Sequence, residues 1–136
     1  MNPRYMLDTN ICIYLMKHQP PEVAQRFESC FVGEVVISAI TLAELEYGVV
    51  CSGAAAVKNR EALDAFVQEV PVKAFEGAAA LAYGTARYAT RESKRDALDK
   101  LIAGHAMSLG VTLVTNNEND FVIYPGLKVE NWVNSH

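Results

Sequence analysis

The sequence predicts an α/β fold in which helices cover a central, mostly parallel sheet of four or five strands. Short apolar runs of strand length recur along the chain, and segments with apolar residues at three-to-four spacing separate them. Strands that alternate with helices in this way are typical of a parallel sheet. The 136 residues, 51% of them apolar, suit one domain, which we expect to span residues 1–136.

The individual elements follow from this pattern. Strands are predicted over residues 4–7, 35–38, 70–75, 112–115 and 128–130. Helices are predicted over residues 9–18, 22–31, 40–51, 55–69, 77–94 and 97–109, with a short helical turn at 119–121. Thr9 and Asn10 are candidates to cap the first helix, and Pro20 and Pro21 separate it from the second. Gly110 ends the last long helix, as a glycine just past a helix C-terminus does.

Composition restricts the class of protein. Cys12, Cys30 and Cys51 are odd in number and far apart, so we expect buried free thiols rather than disulfides or a zinc site. No segment has the apolar length of a secretory signal or a membrane span, which predicts a cytoplasmic protein without a membrane partner. The net charge of −4 argues mildly against a polyanionic partner. His105 lies on an apolar helix and is expected to be a packed histidine with a satisfied hydrogen bond.

Four acidic residues stand close to predicted strand ends or in the helices next to them. Asp8 directly follows the first strand, and Asp120 comes after the polar loop behind the fourth strand. Glu44 lies about one turn into the helix after the second strand, and Asp99 opens the helix before the fourth strand. Each acid by itself has an ordinary explanation, as a helix cap, a solvated acid, a first-turn acid or a loop residue.

Taken together, the four acids favour a metal site. Ligands of such folds bind outside the carboxyl ends of the strands, where the strand order reverses. Clustered carboxylates raise one another's pKa, so a site that keeps them ionised at neutral pH needs a cation. Ligation by oxygen atoms suits Mg²⁺ or Mn²⁺ rather than zinc. Because such cations promote phosphoryl chemistry, we expect hydrolysis of a phosphodiester.

Five motifs lie in order along nearly the whole chain. They are MLDTNI at 6–11, SAITLAELEYG at 38–48, DKLIAGHA at 99–106, VTNN at 114–117 with DF at 120–121, and ENW at 130–132. In order and spacing they resemble the VapC-type toxins, which are PIN-domain ribonucleases. The resemblance implies a PIN-like three-layer α/β/α sandwich and a Mg²⁺- or Mn²⁺-dependent endoribonuclease, usually a homodimer.

The same resemblance implies a biological setting for the protein. It would be the toxin of a type II toxin–antitoxin system, held inactive by a VapB-type antitoxin whose C-terminal segment fills the active groove. The substrate would be RNA. Some members of the family cleave initiator tRNA, so a tRNA is a candidate substrate.

By match to the motifs, the resemblance assigns the metal to the four acids. Asp8, Glu44 and Asp99 correspond to the central metal-binding and catalytic acids, and Asp120 corresponds to the fourth. Asp96 competes with Asp99 for metal contact, or caps the helix that Asp99 opens. The register of D-x-x-I-A-x-H-A favours Asp99.

Three polar residues match supporting positions. Thr115 and Asn116 correspond to residues that support the metal-bound water, and Asn10 to one that contacts a ligand rather than the metal. The stretch 90–98 departs from the family, whose members have a loop such as G-x-P-I-G there, because it contains neither Gly nor Pro. The resemblance therefore does not predict the conformation of this loop.

A row of basic residues precedes Asp99. Arg87, Arg91, Lys94 and Arg95 have the spacing i, i+4, i+7 and i+8, which places them on one helical face if the helix continues to residue 94. One interpretation is a solvated face. The other is a strip that contacts RNA phosphates beside the metal site, which would answer the objection from net charge.

Two other functions stay open. A phosphoaspartyl hydrolase would use Asp8 as nucleophile, but that class has an acid two residues later, where this chain has Asn10. A non-nucleolytic, Mg²⁺-dependent phosphoacceptor module of the receiver type has a Lys at the end of a late strand, where this chain has Asn116. The motif G-x-x-x-x-G-K-[ST] is absent from the sequence, which excludes a P-loop NTPase.

Overall fold

One parallel sheet of five strands runs through the computed structural model, which describes residues 2–94 and 97–133. The strands are β1 (Tyr5–Leu7), β2 (Val35–Ser38), β3 (Val72–Lys73), β4 (Thr112–Val114) and β5 (Lys128–Glu130). Their order in the sheet is β3-β2-β1-β4-β5, and every neighbouring pair is parallel. The strand order therefore reverses between β1 and β4, which is where a ligand site is expected in such a fold.

Seven α-helices connect and follow these strands within the described residues. They are α1 (Thr9–Lys17), α2 (Pro21–Glu28), α3 (Ala39–Val50), α4 (Ala56–Glu69), α5 (Gly77–Ala89), α6 (Ala97–Leu109) and α7 (Glu118–Phe121), with a 3₁₀ turn at Gly53–Ala55. Ser38 caps α3 by accepting a hydrogen bond from the backbone N–H of Ile40. Gly110 ends α6 with a φ of 68°, as the sequence predicted.

The central strands are buried on both faces. Alternate side chains of a strand point to opposite sides of the sheet. Tyr5 and Leu7 of β1 accordingly belong to one apolar cluster, which packs mainly against α1 to α4, whereas Met6 belongs to a second cluster with α6 and α7. The predicted α/β sandwich with a parallel sheet is thus confirmed.

Three predicted elements run clearly past the observed ones, and one of them is the second helix, which was predicted to reach residue 31 and ends at Glu28. The third strand was predicted over residues 70–75 and is only Val72–Lys73, because Val70 still closes α4 through a hydrogen bond from its N–H to Phe66 O. The fifth helix was predicted to reach residue 94 and ends at Ala89. The Thr90 hydroxyl bonds back to the Ala86 carbonyl oxygen, and a turn follows.

The predicted row of basic residues on one helical face requires α5 to continue to residue 94, and the helix ends at Ala89. Arg91 and Lys94 lie in the turn and loop beyond the helix, and Arg95 lies outside the described residues, as does Asp96. The helix therefore does not place Arg87, Arg91 and Lys94 on one helical face, contrary to the prediction from the sequence. Their contact with RNA phosphates stays a prediction.

The three cysteines are free, as expected, but only Cys12 is buried; Cys30 is half-buried and Cys51 is exposed. No single helix of residues 2–94 and 97–133 is long and apolar enough to cross a membrane. Ala39–Val50 and Gly53–Glu69 meet these criteria only as a pair, with a bend of 115° between them.

Candidate active site

The site is built where β1 and β4 end side by side. Asp8 follows β1 and extends its pairing with β4, since its backbone N–H donates to Val114 O at 3.0 Å. Thr115 follows β4 directly and is completely buried, and Asp8 is only 5% exposed. The carboxyl end of the sheet, at its point of strand reversal, therefore presents a buried carboxylate.

The Asp8 carboxylate caps a helix and has a raised pKa. It caps α1, because Oδ1 accepts a hydrogen bond of 3.0 Å from the backbone N–H of Ile11, so Thr9 and Asn10 are not the cap. Burial raises the pKa of the Asp8 carboxyl above its usual value, and the negative charge of Glu44 raises the pKa further. Hydrogen bonds from the Thr115 side chain and the Ile11 backbone act against this rise in pKa. Asp8 is thus a carboxylate whose charge is incompletely compensated.

Glu44 is brought to Asp8 by the residue next to Asp8 in the sequence. The hydroxyl of Thr9 donates a hydrogen bond of 2.7 Å to Oε1 of Glu44, which is half-buried on α3. One turn earlier on α3, the hydroxyl of Thr41 is fully buried and has no hydrogen-bond partner among the described residues. The part of α3 that precedes Glu44 therefore contains a buried polar group whose hydrogen-bonding capacity is unused among the described residues.

Cys12 gives a second indication that the two acids converge. Its thiol is fully buried one turn into α1. Burial raises its pKa well above the usual value, and the charges of Asp8 and Glu44 raise it further. The thiol is accordingly neutral and serves as an apolar wall of the site.

Asp99 lies in the first turn of α6 and is half-buried. Because α6 leads through Gly110 into β4, its first turn lies on the side of the sheet where the strands end. His105 shows where α6 passes the end of β2, since its Nδ1 lies 2.8 Å from Oγ of Ser38, the last residue of that strand. Asp99 is six residues earlier, which is about 9 Å along the helix axis towards the N-terminus of α6.

Asp120 belongs to α7, which follows the polar loop behind β4. Together with the four residues before it, Asp120 lines an open pocket of about 300 Å³. Thr115 shapes this loop, because its Oγ1 accepts a hydrogen bond of 2.9 Å from the N–H of Asn117. Asn10 is exposed in the first turn of α1.

Asn116 is held by two residues from other parts of the chain. Its amide nitrogen donates to the Tyr14 hydroxyl at 3.3 Å, and its amide oxygen accepts from Nδ2 of Asn131 at 3.2 Å. Asn131 also donates to Glu118 at 2.9 Å. The sequence did not single out Asn131 and considered Thr9 only as a helix cap, although the two residues lie inside the motifs ENW and MLDTNI.

The arrangement of acids can be compared with the needs of a divalent cation. Within residues 2–94 and 97–133, no three His, Cys, Asp or Glu side chains are close enough to hold one ion. The structure brings Asp8 and Glu44 into electrostatic interaction, whereas Asp99 lies on α6 and Asp120 on α7. Carboxylate and hydroxyl oxygens around a buried carboxylate of raised pKa fit Mg²⁺ or Mn²⁺, and they do not fit zinc.

Comparison with known proteins gives consistent results. The sequence profile of the PIN domain matches residues 5–126. The chain is 38% identical over 131 residues to the tRNA(fMet)-specific endonuclease VapC of Shigella flexneri, which covers 95% of this chain and 98% of the relative. It is 37% identical over 133 residues to ribonuclease VapC2 of Rickettsia felis, with 94% and 97% covered.

Solved structures of VapBC proteins are similar to this chain in both fold and sequence. The DNA-bound VapBC of Salmonella typhimurium has a TM-score of 0.90 at 34% identity, covering 96% of this chain and 99% of the other. VapBC2 of Rickettsia felis, bound to a DNA fragment from its promoter, has a TM-score of 0.87 at 35% identity, with 95% and 98% covered.

Proposed function

The chain belongs to the VapC group of PIN-domain ribonucleases, and on this premise we propose that it is the endoribonuclease toxin of a toxin–antitoxin pair. The observation that carries the proposal is the buried Asp8 carboxylate beside Glu44 at the reversal point of the sheet. A buried carboxylate next to a second acid is stabilised by a bound cation. This pair is therefore the centre of the proposed site.

We propose Mg²⁺ or Mn²⁺ as the cofactor. Asp8 and Glu44 would hold it, with Asp99 and Asp120 as the further acids of the same edge. When bound, the ion supplies Lewis-acid polarisation of a phosphoryl oxygen. The residues of the chain fix the geometry: Thr9 orients Glu44, and the Ile11 backbone orients Asp8.

The polar loop behind β4 completes the proposed site. Thr115 holds Asp8 through its side chain, and Asn116 is fixed by Tyr14 and Asn131. Polar side chains that are held in this way keep one orientation when a substrate arrives, which reduces the reorganisation needed for reaction. Asn116 is thereby suited to orient the attacking water.

The substrate and the partner follow from the relatives. We propose that the substrate is RNA and that a tRNA is a candidate, since one similar protein is named a tRNA(fMet)-specific endonuclease. We propose a VapB-type antitoxin as the partner, because the similar solved structures are VapBC assemblies. A homodimer is proposed as the assembly of the toxin itself.

Cleavage of purified RNA by the protein freed of any antitoxin tests the proposal. Total tRNA is incubated with the wild type in Mg²⁺, in Mn²⁺ and in excess chelator, and cleavage is followed on a denaturing gel. We expect cleavage only with the metal, and a loss of at least about 100-fold for Asp99→Asn, as expected when a group of the catalytic unit is removed.

The matched control is Glu61→Gln, which neutralises an exposed acid on α4 and should cleave like the wild type. Circular dichroism spectra must agree for all three proteins. Full cleavage in chelator would overturn the proposal. Phosphorylation of Asp8 by an acyl-phosphate donor without RNA cleavage would instead favour the phosphoacceptor module.

A further inference from the structure

The end of α5 carries an exposed aromatic ring with a cation stacked on it. Tyr88, in the last turn of α5, is 66% exposed. The guanidinium carbon of Arg91 lies 4.1 Å from the centre of the Tyr88 ring. Nη1 of Arg91 also donates to the Tyr88 carbonyl oxygen at 2.8 Å, so the pair is held by two contacts. The pair is therefore an exposed, preformed surface.

The surroundings of this pair are basic. Arg87, directly before Tyr88 in α5, is exposed and donates to the Tyr83 hydroxyl at 2.9 Å, and Lys94 is exposed in the loop beyond. Residues 83–94 contain three cations and one acid, in a chain whose net charge is −4. We call Arg87, Tyr88, Arg91 and Lys94 the α5 rim. It is a local positive area on an acidic protein.

A buried lysine ties the α5 rim to the acidic site. Lys100 is only 7% exposed, and its Nζ donates to the carbonyl oxygens of Thr90 at 3.2 Å and Ser93 at 3.1 Å. Lys100 is the residue after Asp99 in the first turn of α6. The loop that carries Arg91 is therefore fastened to the residue that follows a proposed metal-binding acid in the sequence.

We propose that the α5 rim binds an unpaired nucleotide of the RNA substrate, its base stacked on the Tyr88–Arg91 pair and its phosphates near Arg87 and Lys94. Unpaired bases stack on aromatic rings and on guanidinium planes, and these contacts tolerate any sequence. A base-paired strand buries the same faces in its own stack. Polyanionic RNA also matches the local positive charge. This inference rests on the proposed ribonuclease function and names the form of RNA that the site takes.

The test is direct binding in chelator, where no cleavage occurs. Fluorescence anisotropy compares a short unstructured RNA oligonucleotide with the same strand annealed to its complement. We expect the single strand to bind more tightly, and Tyr88→Ala to raise its Kd roughly 10-fold, in the range of the loss of one stacked base. Tyr88→Trp, which keeps an aromatic face, should retain the affinity. Arg91→Ala should raise Kd and lower the slope of log Kd against log salt by about one.

Two matched controls accompany these variants. Leu81→Ala removes a comparably exposed side chain from the same helix, and Lys58→Ala removes an exposed cation from α4. Neither should change Kd. In the cleavage assay with metal, Tyr88→Ala should raise KM and leave kcat within about twofold, since the α5 rim positions RNA without touching the reacting atoms.

The outcomes separate this inference from the proposed function. RNA cleavage by the wild type with unchanged Kd and KM in Tyr88→Ala would overturn the inference alone. Single-strand binding that depends on Tyr88, without any metal-dependent cleavage, would overturn the proposed function and support the RNA surface. If Tyr88→Ala changes the sedimentation coefficient instead of the RNA affinity, the α5 rim is a contact between copies of the chain and the inference is wrong.

Discussion

The hydroxyl of Thr9 donates a hydrogen bond of 2.7 Å to Oε1 of Glu44, across 35 residues of sequence. Thr9 begins α1 directly after Asp8, and Glu44 lies on α3, so this one bond links the helices that carry two of the proposed ligands. A carboxylate on a helix has several rotamers, and a partner that selects one of them pre-organises a metal site.

Thr9→Val should therefore weaken metal binding more than it weakens the fold. We expect the Kd for Mn²⁺, measured by isothermal titration calorimetry, to rise about 10-fold, as is usual when a partner of a metal ligand is lost. The free energy of unfolding should fall by about 1 kcal/mol, the typical value of one hydrogen bond. Thr9→Ser keeps the hydroxyl and should behave like the wild type. An unchanged Kd in Thr9→Val would show that Glu44 needs no such orientation.

Gly104→Ala should separate α5 from α6. A Cβ at position 104 would lie 2.7 Å from both N and Cα of Tyr83, and these backbone atoms cannot move without moving the helix. We expect the free energy of unfolding, measured in urea, to fall by about 1–3 kcal/mol, as for other overpacked cores. Gly48→Ala is the control, because no atom of the described residues outside its own helical turns lies within 4 Å of its Cβ position on α3. It should stabilise the protein by about 0.5–1 kcal/mol, and a similar gain in Gly104→Ala would contradict the close packing of the two helices.

The sheet could be predicted from local sequence because its strands are short, apolar and buried on both sides. β1, β2, β4 and β5 appear within one residue of their predicted bounds. The end of α5 could not be predicted in this way. Lys100, ten residues after Thr90, draws the carbonyl oxygens of the loop towards α6, and no local pattern contains this contact.

The candidate site was predictable in its residues more than in its geometry. Asp8 could be placed at a strand end from the apolar run before it, and the motifs selected Glu44. Their convergence depends on the long-range bond from Thr9, and the fixed orientation of Asn116 depends on Asn131. The buried hydroxyl of Thr41, which has no hydrogen-bond partner among the described residues, is likewise a product of tertiary packing.

His105 should make the stability of the protein depend on pH. It is only 2% exposed, and burial lowers its pKa below the usual 6.5, against the opposing effects of the Ala74 backbone and the Glu76 charge. Below about pH 6.5 the unfolded chain therefore binds a proton that the folded chain excludes, so the free energy of unfolding falls as the pH falls. The contribution is at most about 1.4 kcal/mol per pH unit.

The measurement is a series of urea denaturations of the wild type and of His105→Gln between about pH 5 and pH 7.5. Glutamine stays neutral, so the free energy of unfolding of the variant should fall less steeply as the pH falls below about 6.5. The variant itself should be less stable at pH 7.5, because it disturbs the contact with Ser38 and the edge-on packing against Phe75. Parallel curves for the two proteins would show that His105 is not the titrating group.

Asp8→Asn should abolish the stabilisation of the protein by Mn²⁺ without lowering its stability in chelator. Burial and Glu44 raise the pKa of Asp8, so the folded state holds the proton better than the unfolded state, and the ionised form at neutral pH opposes folding. Asparagine removes this charge and can still accept the hydrogen bond from Ile11 as the helix cap. In chelator, the variant should therefore unfold at a temperature equal to or above that of the wild type.

Mn²⁺ at about 100 times its Kd should stabilise the wild type by about 2.7 kcal/mol and leave the stability of the variant unchanged. A variant that is less stable in chelator, or that gains as much stability from Mn²⁺ as the wild type, would show that Asp8 serves the fold and not the cation.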